Sequence, residues 1–239
     1  MSQPGNKDKT KDAILKCPVG NRECDLPDEI GKCRAEIKRL SRLVATDPLT
    51  GLRNYRYFSE TVERELERTR RTALPSSLIM MDIDYFKQIN DRFGHEAGNE
   101  ALCFVASLLV KFTRQLDTPC RYGGEEFAII LPGTGLQRAI NTAERLREKL
   151  ASTPLRLDGE DIFITASFGV DVFHNSDNCS PGEFIDKVDR HLLRAKASGR
   201  NRVCAGKPEA RVDTRITGKE KAALYNFSTP DEQGLSENE

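Results

Sequence analysis

Two short apolar runs set the tightest limits on what this chain folds into. Residues 77–83 read SLIMMDI and residues 127–131 read FAIIL. Each is too short for a core helix and too uniformly apolar for a strand with one wet face, so each reads as a buried strand. Around them the apolar residues recur at helical spacing, over 58–71, 99–112, 136–150 and 181–198. Residues 161–172 alternate as a third strand region, and 202–204 read as a short terminal strand. Helices and strands mixed in this order, with a tight hairpin near the middle, predict an α/β sandwich on one sheet.

The flanks read differently. Residues 1–27 are rich in Lys, Asp, Gly, Pro and Asn and are expected to be loose. Ile30, Cys33, Ile37, Leu40 and Val44 make a narrow apolar stripe on an expected helix at 28–46, which suits a short coiled coil. Residues 207–239 are polar and end in acidic residues, as a tail does. The domain between is expected to span 47–206. Formal net charge is zero, which predicts no general attraction to nucleic acid or to an anionic membrane. No apolar run approaches the roughly 18–20 residues that span a bilayer, and the N-terminus lacks the apolar core of a signal peptide, so a cytoplasmic location is expected. Seven cysteines, an odd count, read as thiols. Cys17, Cys24 and Cys33 do not have a zinc-site spacing.

Four constellations carry chemistry. Asp82-Ile83-Asp84 places two carboxylates on one side of an extended strand end, where a hard divalent cation with phosphate oxygens would pair with them; the competing reading is a pair of solvated acids. Gly123-Gly124-Glu125-Glu126 reads as a hairpin turn, although a turn has no need of adjacent acids. Lys87 and Asn90 are candidates for a phosphate and a base edge. Lys196 through Arg202 is a basic cluster at a helix end, where the helix dipole favours cations in any case. Together they supply a nucleotide site.

In combination these motifs resemble the GGDEF family of diguanylate cyclases. Asp47-Pro48-Leu49-Thr50-Gly51-Leu52-Arg53-Asn54 resembles its opening signature, and Asp82 to Asp91 followed by Phe93-Gly94-His95 its second. Gly123-Gly124-Glu125-Glu126-Phe127 is the GGEEF form of the naming motif, and Ala195-Lys196 through Gly199-Arg200-Asn201 resembles the closing signature. The resemblance covers about residues 44–205. It implies a central, mostly antiparallel sheet wrapped by helices, related to adenylyl cyclase and polymerase palm domains. It implies condensation of two GTP into cyclic di-GMP with Mg²⁺ or Mn²⁺, in a homodimer whose two half-sites face each other. The upstream sensor partner is unknown, and no recognisable sensor domain precedes the catalytic part.

By position, the resemblance makes Asp82, the carbonyl of Ile83 and Glu125 metal ligands. It makes Glu126 an aid to ionising the 3′-hydroxyl. Lys87, Lys196 and Arg200 would bind the triphosphate, with Phe86, Gly123 and Gly124 in the substrate site and Asn90 on guanine. Arg114-Gln115-Leu116-Asp117 resembles the RxxD site that binds product as an inhibitor, with Arg145 as a second contributor. Two positions depart from the pattern. Asn99 stands where an Asp is usual, which opens a relaxed preference that includes mixed cyclic GMP-AMP. Val188-Asp189-Arg190-His191-Leu192-Leu193 replaces an Ala-Asp-x-Ala-Leu-Tyr pattern, and is expected to change packing, with His191 structural. The competing function is a catalytically silent cyclic di-GMP sensor.

Overall fold

A computed structural model describes residues 45–206 together with Ile30, Lys32, Cys33 and Glu36. Those four lie in a helix. The remainder of the expected 28–46 helix, the 1–27 segment and the 207–239 tail lie outside the described residues. The expected helix does not extend to 46: Thr46 forms an antiparallel bridge with Arg53, and the Asn54 amide donates to the Ala45 carbonyl (3.1 Å). The reason is Asp47-Pro48, because a residue before proline is pushed out of the helical region.

The elements run α1 (Tyr55–Thr72), β1 (Ser76–Ile83), α2 (Phe86–Phe112), β2 (Thr118–Gly123), β3 (Glu126–Leu131), α3 (Leu136–Ser152), β4 (Leu155–Leu157), β5 (Glu160–Ile162), β6 (Ala166–Phe173), α4 (Pro181–Ala197) and β7 (Val203–Ala205). Five strands make one sheet in the order β2-β3-β1-β6-β7. All its pairings are antiparallel except β6–β7, which is parallel. The fold is therefore the mostly antiparallel α/β sheet that the sequence predicts.

Both sheet faces are covered, which explains why β1 is buried along its whole length. Ile79, Met81 and Ile83 join Val105, Leu109, Phe127, Leu146 and Val170 under α2 and α3. Leu78 and Met80 join Phe58, Val62, Leu66, Ile130, Val188 and Leu192 under α1 and α4. Asp82 belongs by alternation to the second face, and α4 brings Lys196 to it.

Local signals fix the helix starts. The Asn54 side chain accepts from the Tyr57 amide (3.0 Å), and α4 opens with a capping box between Ser180 and Glu183, with Pro181 in its first turn. Two further expectations are corrected, and β2 is an addition to the expected strands. The 161–172 strand region is split into β5 and β6, which belong to different sheets. β2 has no apolar run of its own and carries Pro119, which an edge strand tolerates. The helix expected to begin at Asn99 begins at Phe86; Gly94 (φ 85°, ψ 167°) interrupts it and masks the periodicity. No helix among the described residues is long and apolar enough to cross a membrane.

Candidate active site

The site grows from the end of the central strand. Asp82, in the last turn of β1's pleat, stands opposite Glu126 of β3 and Ser167 of β6. It is 8% exposed, and the Lys196 Nζ lies 2.7 Å from its Oδ2. Burial pushes the Asp82 carboxyl up; Lys196 pulls the other way, and Glu125 and Asp84 push it up again, for a net upward shift. Glu126 is also raised, first by burial and then by the Asp82 charge. Four acids and one cation thus crowd one strand end, an arrangement with electrostatic room for more positive charge.

The two acids of the Asp-Ile-Asp run part company. Asp84 is buried, and its carboxylate accepts from Thr165 Oγ1 (2.9 Å), Ser167 Oγ (2.7 Å) and the Asn201 amide (2.9 Å). With those bonds made, Asp84 anchors the loop that follows α4. That loop is strained, with Arg200 at φ 61° and Asn201 at φ 43°. The anchoring lays the Arg200 guanidinium over the Tyr85 ring at 4.7 Å.

The Gly-Gly-Glu-Glu hairpin forms with Gly124 and Glu125 at its tip and Gly123 closing β2. Gly124 has φ +50°, and a Cβ on either glycine would meet nothing within 4 Å, so open space lies beside both. The hairpin is braced from a distance. Arg121 donates from Nε and Nη2 to the Gly124 carbonyl (3.0 and 2.8 Å) and from Nη1 to Asp47 (3.1 Å). Burial pushes Asp47 up, but bonds from Thr50 and Arg121 hold its carboxyl below the usual range. The Ile83 amide donates to the Glu125 carbonyl (3.3 Å), tying the hairpin to β1.

Asn90 and Gly98 form a second wall across the Gly94 break. A Cβ at Gly98 would lie 1.9 Å from Asn90 Oδ1 and 3.3 Å from Phe86 Cζ, so the absent side chain is what lets Asn90 rest there. Asn99 and Lys87 are exposed on the same helix. Arg114 and Asp117 lie apart from all of these, at the C-terminal end of α2. Asp117 accepts from the Arg114 amide (2.8 Å) and the Asp117 amide donates back to the Arg114 carbonyl (3.0 Å), closing a turn with Arg114 exposed. Burial raises Asp117, while the Arg114 and Arg145 charges oppose the shift. Arg145 reaches the same corner, donating to the Phe112 carbonyl (2.8 Å).

Residues 44–202 match the family description "Diguanylate cyclase, GGDEF domain". The chain belongs to the GGDEF diguanylate cyclase family. It is 43% identical over 159 residues to diguanylate cyclase DgcP of Pseudomonas aeruginosa, covering 66% of this chain and 23% of that protein. It is 40% identical over 163 residues to response regulator PleD of Caulobacter vibrioides, covering 67% and 36%. The chain therefore spans roughly a quarter to a third of the length of these relatives. The crystal structure of the coiled coil and GGDEF domain of DgcB from Caulobacter crescentus in complex with c-di-GMP superposes with a TM-score of 0.65 at 29% identity, covering 76% of this chain and 96% of that one.

Within this GGDEF domain the structure gathers Asp82, Ile83, Glu125, Glu126 and Lys196, and keeps Arg114, Asp117 and Arg145 as a separate group. Sequence reasoning passed over Asp84, Thr165, Ser167 and Asn201 as an anchor, and the Asp47–Arg121–Gly124 brace. Asp47, Asp84 and Asn201 stood inside quoted motifs, but their partners are 74 to 117 residues away.

Among the described residues no three or more His, Cys, Asp or Glu side chains converge as a metal cage. The donor set of Asp82, Glu125 and the Ile83 carbonyl nevertheless fits Mg²⁺, a hard cation bound through one or two carboxylates and completed by water and substrate phosphates. The described cysteines 33, 103, 120, 179 and 204 are free, and burial pushes the Cys120 thiol up to about 12.

Glu126 offers a check on these electrostatics without nucleotide or divalent cation. Its folded carboxyl is raised, so its charge opposes folding once pH exceeds that raised value. Glu126→Gln is expected to raise the melting temperature at pH 7.5 by about 1–3 °C. The gain should shrink towards zero as pH falls to about 4, where the unfolded carboxyl also protonates. A gain independent of pH would mean that Glu126 is not strained by its neighbours.

Proposed function

We propose that the chain is a diguanylate cyclase that condenses two GTP into cyclic di-GMP and two pyrophosphates, at a site shared by two subunits, with feedback at the RxxD turn. The observation that carries this reading is the Asp82 carboxylate, raised first by burial and then by Glu125 and Asp84, and bonded to Lys196, beside a hairpin with open space at Gly123 and Gly124.

Each subunit holds one GTP. Lys87, Lys196 and Arg200 bind its triphosphate, Asn90 meets guanine, and Phe86 backs Asn90. Asp82, the Ile83 carbonyl and Glu125 would hold Mg²⁺ or Mn²⁺, which when bound would supply Lewis-acid stabilisation of phosphoryl charge. Glu126, with its raised carboxyl, takes the proton of the 3′-hydroxyl. That oxygen forms a bond to the α-phosphorus of the GTP held opposite, and the bond to the β-phosphate oxygen breaks. The step occurs once on each GTP to close the ring. Orientation of the two half-sites governs the rate, and a cytoplasmic setting suits the free thiols.

A shared site predicts that rate per enzyme rises with enzyme concentration below the dimer dissociation constant. A rate per enzyme that is constant on dilution far into the monomer range would contradict it. Substrate choice is read in the same assay: GTP alone should suffice, and a mixed product with ATP present would assign the relaxed preference to Asn99.

Gly98→Ala should drive Asn90 aside, raising KM for GTP about tenfold while kcat changes less. Unchanged KM would separate Asn90 from base recognition. At the RxxD turn, Arg114→Ala should raise the cyclic di-GMP concentration needed for half-inhibition at least about tenfold, since a charge-assisted bidentate contact is lost. Equal inhibition of the variant and the wild type would place feedback elsewhere.

A further inference from the structure

The last helix carries a charge cluster that the reaction above leaves unused. Asp171, in β6, is 2% exposed, a costly place for a carboxylate without partners. Its Oδ1 accepts from the Val172 amide (2.8 Å); its Oδ2 lies 2.9 Å from His191 Nε2 and 3.1 Å from Lys187 Nζ. Lys187 and His191 are one helical turn apart on α4. Arg194, nearly a turn further, donates to the Ala205 carbonyl of β7 (2.9 Å). One stripe of α4 is thus fastened to two adjacent strands.

Two glycines remove the slack. A Cβ on Gly169 of β6 would lie 2.4 Å from both the Leu192 nitrogen and the Val188 oxygen, so the helix backbone rests directly on the strand. A Cβ on Gly206 would lie 2.7 Å from Asp171 Oδ1, so the chain after β7 closes over the carboxylate. Just beyond the clamp come Lys196, bonded to Asp82, and Arg200, stacked on Tyr85.

We infer that Asp171, His191 and Lys187 form a positioning clamp that sets where α4 lies on β6, and through it how Lys196 and Arg200 reach a nucleotide triphosphate. The inference rests on the cyclase reading of Lys196 and Arg200. The His191 ring bonds the carboxylate and the Lys187 ammonium adds an ion pair to the same oxygen, and charge-assisted bonds are the stronger. β6 brings Asp171 near α4, and α4 itself brings Lys187, Arg190 and Arg194. β7 brings the Cys204 thiol, β1 brings Asp82, which Lys196 holds, and α1 brings Arg70, which bonds the Cys179 carbonyl. Asp186 and Asp189 of α4 act on Tyr122, and Asp189 on Glu126 as well. Asp171 is the acid bonded to His191, so this pair is the contact on which the clamp depends.

The test uses the full chain with Mg²⁺ and a GTP analogue bridged by methylene between the α- and β-phosphorus, which cannot be condensed. Its Kd is measured by calorimetry at about pH 7.5 for wild type, His191→Gln, His191→Ala and Lys187→Ala, beside GTP turnover by the wild type. His191→Gln keeps a donor to Asp171 and should bind within about threefold of the wild type. His191→Ala should bind about tenfold more weakly, with circular dichroism confirming its fold. If that variant does not fold, Lys187→Ala, which removes the ion pair alone and should bind about threefold more weakly, decides. Equal affinity of wild type and His191→Ala, or of wild type and Lys187→Ala where the first does not fold, overturns the clamp. The predicted affinities without GTP turnover would retain the clamp and remove the cyclase; turnover with equal affinities would do the reverse. Absence of analogue binding by the wild type would remove both.

Discussion

Lys196→Met will lower kcat/KM for GTP by about 10²- to 10³-fold and destabilise the free protein at the same time. Both effects come from one contact, the 2.7 Å bond to Asp82. In the free protein Lys196 offsets the desolvation of a carboxylate that Glu125 and Asp84 already repel. Removing a single partner leaves that charge nearly buried, at a cost of roughly 1–3 kcal/mol after discounting for the partial exposure of Lys196. In the proposed mechanism the same ammonium serves the triphosphate once nucleotide is bound. The two roles separate in a double variant. Asp82→Asn with Lys196→Met should recover most of the melting temperature and none of the activity. A double variant as unstable as Lys196→Met alone would show that Lys196 acts through packing of its stem instead of its charge.

Glu125→Gln should be the opposite kind of variant. It removes a carboxylate that the proposed mechanism assigns to the metal, so kcat should fall by about 10³-fold or more. Its tip position in the β2–β3 hairpin leaves it only partly buried, and its charge raises both Asp82 and Glu126. Loss of that charge relieves repulsion, so the melting temperature should hold or rise slightly. A large fall in stability would mean that Glu125 has a structural role in the hairpin.

The parts of the fold legible in the sequence are those whose cause is local. SLIMMDI and FAIIL are strands because both sheet faces are covered, which leaves no polar alternation to confuse with a helix. α4 is legible because Ser180, Pro181 and Glu183 mark its start. β2 is not, since an edge strand that holds Pro119 and Arg121 needs β3 beside it to exist. The first part of α2 is polar and broken at Gly94, so no apolar stripe announces it.

The site divides in the same way. Asp82, Glu126 and Lys196 were chosen from their motifs and do converge. The two acids of Asp82-Ile83-Asp84, expected to act alike, differ because Asp84 is taken by Thr165, Ser167 and Asn201, and nothing within the motif encodes those partners. The Asp47–Arg121 bond ties the opening turn to the Gly-Gly-Glu-Glu hairpin, but it spans 74 residues and only folding brings it together. His191, expected to be structural, is bonded to a buried Asp171 that sequence periodicity hides within an apolar strand.

The central claim is that the acids around Asp82 condense GTP. Its most direct test is quantitative product analysis by mass spectrometry of GTP with Mg²⁺, for wild type and Glu125→Gln at equal concentration. The account predicts one cyclic di-GMP for every two pyrophosphates from the wild type, and at least about a thousandfold less from the variant. Equal product from both proteins, or no condensed dinucleotide from wild type at concentrations where it is dimeric, would contradict it.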